Sequence, residues 1–173
     1  MISSEYLSFL PLLIYGIAIT DLFSQWKRLF DFKRMFIPYS LFTIILTEMA
    51  LYNVFVYGNL VNQLPGINYY TYLRYLLPPF LFILTTYIFT PDKDSDTKDY
   101  FMEKMPIFFT LLSLFVACHF LYDFDEGIVP KVGRMVAIIL ILITGFYRKL
   151  WLVYILFFWW LILLPFREYT VFT

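Results

Sequence analysis

Glu48 and His119 are the side chains of this 173-residue chain best placed to do chemistry, because each interrupts a run of residues otherwise suited to lipid. An ionisable group at the centre of a membrane helix costs about 2.5–3.5 kcal/mol on insertion scales, which makes it a functional candidate by default. Counting 1.5 Å per residue, Glu48 lies about 18 Å from the inner end of its apolar run and about 13 Å from the outer end. Tyr52, one turn on, shares its face, whereas Asn53 points well away. The same count puts His119, the sole histidine, about 18 Å from the inner end of a later run, at the depth of Glu48. Asp123 follows His119 at i+4, where a carboxylate one turn above the imidazole can fix its tautomer and favour the charged ring. If the two helices touch, Glu48, His119 and Asp123 line a polar path opening outward, with Arg74 and Arg134 at its rim. The structural alternative is that these groups hold helices together by hydrogen bonds. They are too few for a metal site, and no metal or cofactor is expected. Asp21, near the inner end of the first run, reads as a boundary anchor for Lys27 and Arg28.

The elements that must position these residues are helices in lipid. Hydrophobic residues make up 61% of the chain and charged ones 15%, against roughly 45–50% and 25% in soluble domains. A run of about 20 apolar residues crosses the hydrocarbon layer, of roughly 30 Å, as a helix. Six such runs follow one another, about Leu7–Trp26, Phe36–Tyr57, Leu73–Phe89, Ile107–Phe124, Val132–Tyr147 and Leu150–Phe166. The expected fold is all-α, a single polytopic transmembrane bundle with no soluble domain. The first run lacks a basic start and a small-residue cleavage site, so it is expected to remain as an uncleaved span. Pro78 and Pro79 remove two amide donors from the third span and are expected to bend or loosen it.

Lysine and arginine set the orientation, since loops on the cytoplasmic side retain them. With both ends outside, the inner side holds Lys27, Arg28, Lys33, Arg34, Lys93, Lys98, Lys104, Arg148 and Lys149, nine of the thirteen basic residues. Trp26, Tyr100, Tyr147 and Trp151 then lie at the inner boundary and Tyr57, Tyr69, Tyr70 and Tyr72 at the outer one, where amphipathic rings collect. The thirteen acidic residues balance the charge, so nothing points to nucleic acid. The single Cys118 excludes an intrachain disulfide.

The loop from Asp92 to Glu103 places acids at positions one, three, five and twelve of a calcium loop. Thr97 stands where that loop needs glycine, so a solvated acidic loop is expected instead. There is no phosphate loop, no HExxH, no GxSxG and no TVGYG-type filter.

The segment Gly16–Phe23, followed by Trp26, Lys27, Arg28 and Leu29, resembles the opening of a widespread family of small uncharacterised bacterial multi-pass membrane proteins. The resemblance continues at Phe89-Thr90-Pro91-Asp92 and Asp99-Tyr100-Phe101. It departs in the second span, where Glu48 and Tyr52 replace an expected amide and paired tryptophans. The resemblance implies multi-pass topology and a bacterial inner membrane, and it carries no activity. Three function classes follow. The first is a small transport or channel-like protein with a polar or proton-responsive path, running between protomers because six short helices enclose little space. The second is an interaction or scaffold subunit with homo-oligomeric or membrane-protein partners. The third is a lipid-modifying enzyme using His119, with a non-enzymatic role preferred.

Overall fold

The computed structural model describes residues 4–31, 35–62, 68–92, 95–121 and 128–167. These form six α-helices, with no strand among the described residues: α1 (Ser4–Phe30), α2 (Ile37–Asn62), α3 (Tyr69–Phe89), α4 (Thr97–Cys118), α5 (Ile128–Tyr147) and α6 (Leu150–Arg167). A single 3-10 turn, His119–Leu121, prolongs α4. The all-helical expectation holds. Four segments, Phe9–Phe30, Ile37–Tyr57, Tyr69–Phe89 and Thr97–Leu121, are long and apolar enough to cross a membrane, and Leu150–Leu164 is a shorter apolar helix.

The helices form for reasons visible in their ends and their hydroxyls. Asn68 caps α3 by accepting from the Thr71 amide at 2.8 Å, and Asp96 caps α4 by accepting from Lys98 and Asp99 at 2.9 and 3.0 Å. That second cap starts α4 ten residues before the apolar run at Ile107, so the charged stretch Lys98–Lys104 is helical and not loop. Along the helices, Thr43, Thr47, Thr85, Thr110 and Thr144 each donate to the carbonyl four residues back. Such bonds satisfy a hydroxyl inside its own helix, which matters where no water is at hand.

Pro78 and Pro79 do not end α3, which runs through both as one helix. Pro79 has no N–H for the Tyr75 carbonyl, its partner one turn back. The buried Tyr57 hydroxyl of α2 donates to that oxygen at 2.6 Å. A bond lost within one helix thus becomes a bond between two.

Packing closes a circuit, α1 to α3 to α4 to α5 to α6 to α2 and back to α1, and α2 meets α4 across it. The core is aromatic: Tyr15, Tyr39, Phe42, Phe82, Phe108, Phe109 and Phe115 are all but inaccessible. Phe42 meets Phe108 and Phe109 edge-on at 5.6 and 5.1 Å, in the geometry ring quadrupoles prefer. The outer surface is apolar as well. On α3, Leu73, Leu77, Phe80, Leu84 and Tyr87 are exposed at three- to four-residue spacing, opposite the buried Tyr75, Phe82 and Phe89. A helix apolar on both faces has no solvated side in water, and lipid is the solvent that suits it. The described residues form an all-helical bundle whose apolar helices suit a membrane.

Candidate functional site

The intramembrane polar groups converge on α2. Asn53 donates its amide to the Met49 carbonyl at 2.7 Å, which turns its Oδ1 towards His119 Nε2 at 3.0 Å. The other ring nitrogen, Nδ1, faces the Phe115 carbonyl at 3.0 Å. Both nitrogens therefore face acceptors. A neutral ring can donate to one of them, and the doubly protonated ring can donate to both. Phe115 also meets the imidazole edge-on at 4.8 Å.

Glu48 takes a different partner. Trp160 Nε1 of α6 donates to its Oε2 at 3.0 Å, and the carboxyl is half-buried at that seam. Asn53 lies five residues after Glu48, about 140° round a helix, so one residue faces α6 and the other the end of α4. The expectation that Asn53 points away from Glu48 is met. The common depth of Glu48 and His119 is not, because His119 pairs with Asn53, about 7 Å further along α2. The physical reason is the early start of α4, which carries its C-terminal end further than the apolar run alone suggests.

The other sequence candidates lie at the edges. Arg134 is half-buried, its guanidinium 5.2 Å from the Phe120 ring, which brings it beside the turn that holds His119. Arg74 is exposed on α3. Asp21 is half-buried on α1, and its carbonyl accepts from Ser24 at 2.6 Å. Asp123 falls outside the described residues.

A second polar cluster, missed in the sequence reading, joins the other ends of the same helices. Arg28, on the last turn of α1, donates to Thr97 Oγ1 at 2.7 Å and to the Asp92 carbonyl at 2.8 Å, with the Ser95 carbonyl at 3.5 Å. Tyr100 donates to the Ile88 and Thr90 carbonyls at 2.9 and 3.3 Å, covering the C-terminal end of α3. Tyr39 of α2 stacks on Phe89 at 4.4 Å and donates to Gln25 of α1 at 3.2 Å. The described residues between α3 and α4 thus clamp and cap the adjoining helices, with Asp96 engaged as the α4 cap.

Two further groups went unread. Trp160 sits in an unbroken apolar run, where only the indole donor's need for an acceptor hints at Glu48. The Tyr15 hydroxyl is fully buried on α1, close to Tyr57 and Cys118, and has no hydrogen-bond partner.

No family model matches the chain. No curated protein and no solved structure matches it either.

Proposed function

We propose that the chain is a multi-pass protein of the bacterial inner membrane, crossing six times with both ends outside, and that it works by association with another membrane-embedded protein. The carrying observation is that α2 bonds its polar groups to four neighbours while aromatic rings fill the space between. Tyr39 reaches α1, Tyr57 reaches α3, Asn53 reaches the end of α4 and Glu48 reaches α6. Phe42, Phe82, Phe108 and Phe115 occupy the interior. These are the features of a rigid bundle that presents its outer faces to partners. The orientation is supported by the exposed Lys27, Lys98, Arg148 and Lys149, which flank the ends of helices packed on one side.

Proteoliposomes test this reading. Proton flux no greater than in protein-free vesicles is expected. A flux abolished by Glu48→Gln or His119→Ala would overturn it in favour of a transport protein. One observation favours that second reading: Glu48 is a carboxyl near mid-span whose burial is incomplete, so a copy docked on the α2–α6 seam would complete a polar route between protomers.

A further inference from the structure

The hairpin of α5 and α6, residues 128–167, carries Lys131, Arg134, Arg148, Lys149 and Arg167 and no acidic residue. Its tip is held in a defined shape. Arg148 has a φ of 50°, in the left-handed region, and its amide donates to the Thr144 carbonyl at 3.1 Å. The Leu152 amide then donates to the Lys149 carbonyl at 3.0 Å as α6 begins. Beneath the tip, Gly145 lies so close to α4 that an added Cβ would stand 2.8 Å from the Phe109 Cβ. The turn is therefore pressed against the bundle, and Arg148 and Lys149 are both exposed.

Their surroundings are apolar and open. Phe146 is 86% exposed, Tyr147 68% and Trp151 59%. Beside them is a shallow cavity of about 390 Å³ lined by Leu142, Ile143, Phe146 and Tyr147. Of the other cations at this end, Arg28 is engaged by the capping turn and Lys104 by Glu103 at 2.7 Å, while Lys27 and Lys98 are exposed. The tip thus combines two adjacent cations, three exposed rings and an apolar recess, and the hairpin supplies no carboxylate of its own.

We propose that this tip is a binding site for an anionic phospholipid, whose phosphate sits at Arg148 and Lys149 and whose acyl chain lies along Leu142, Ile143 and Phe146. Charge complementarity selects the headgroup, and the recess beside it takes the chain. The placement of the site in the inner leaflet rests on the orientation proposed above; the binding chemistry does not.

The test is lipid retention in neutral detergent, read by native mass spectrometry, with dioleoylphosphatidylglycerol against dioleoylphosphatidylcholine of identical chains. Each cation near an anionic surface contributes a factor of about five, so a preference for the anionic lipid of roughly 5- to 30-fold is expected. The double variant Arg148→Asn, Lys149→Gln should abolish it, asparagine being tolerated at a left-handed residue. Lys131→Gln, at the other end of the hairpin, should leave it within about twofold, since surface charges act within a screening length of about 10 Å. Equal retention of the two lipids by the unaltered protein would overturn the proposal without recourse to any variant. So would a preference that survives the double change, or one that Lys131→Gln lowers equally. Glycerol phosphate, a headgroup without chains, should not compete; competition would show a free-anion site instead. None of these outcomes depends on whether the bundle conducts protons.

Discussion

Asn53 and His119 form a pair whose coupling can be measured apart from the rest of the bundle. A double-mutant cycle with Asn53→Ala and His119→Ala, read by unfolding in mixed micelles, should give a coupling of about 0.6 kcal/mol and at most about 1.7, the range of interhelical hydrogen bonds in lipid. A coupling near zero would dissolve the pair. Tyr15 invites the opposite change. Its hydroxyl is buried without a partner, a condition that costs about 1–3 kcal/mol, so Tyr15→Phe should raise the unfolding midpoint. At this scale the sequence was half legible. Glu48 and His119 announce themselves as ionisable residues in lipid-suited runs, but a hydrogen bond belongs to two residues. Trp160 and Phe115, which complete their environments, carry no charge to betray them.

Pro79 and Tyr57 illustrate how elements exchange bonds. Tyr57→Phe should cost about 1 kcal/mol, the usual worth of a buried hydrogen bond. In a Pro79→Ala background the cost should shrink, because alanine returns an N–H to the Tyr75 carbonyl. An undiminished cost would show that the hydroxyl does not replace the missing donor. Two of the helical glycines make a similar contrast. Gly145→Ala forces a Cβ into Phe109 and should destabilise by about 1–3 kcal/mol, the range for overpacking. Gly16 has nothing within 4 Å of an added Cβ, so Gly16→Ala should be neutral or stabilise by about 0.5–1 kcal/mol, read by the same unfolding assay. Helix existence and order were legible, since runs near membrane thickness allow few other structures. The start of α4 was not, because Asp96 as a cap and Asp96 as a loop acid are the same letter. Nor was the continuity of α3 through two prolines, which depends on a tyrosine in another helix.

As a whole molecule the bundle makes a topological claim that thiol labelling can check. In a Cys118→Ser background, Lys149→Cys should resist a membrane-impermeant maleimide in intact cells and react once the inner face is opened, whereas Tyr70→Cys should react from outside. Reversed accessibility would invert the orientation, and equal accessibility would remove a crossing. The positive residues suggest this orientation as a pattern, whereas nothing in the sequence pointed to the packing circuit or the α2 hub. Which faces meet is settled by rings interlocking in three dimensions, and apolar runs look alike along the chain. The clamp at Arg28 has a temporal consequence. Its acceptors lie 64 to 69 residues further along. At about 5–20 residues per second, a ribosome takes on the order of 3–14 s to supply them. During that interval the first helix exists without the three acceptors that will clamp it to the α3–α4 end, so this link between the start and the middle of the bundle closes only after the third helix has been made.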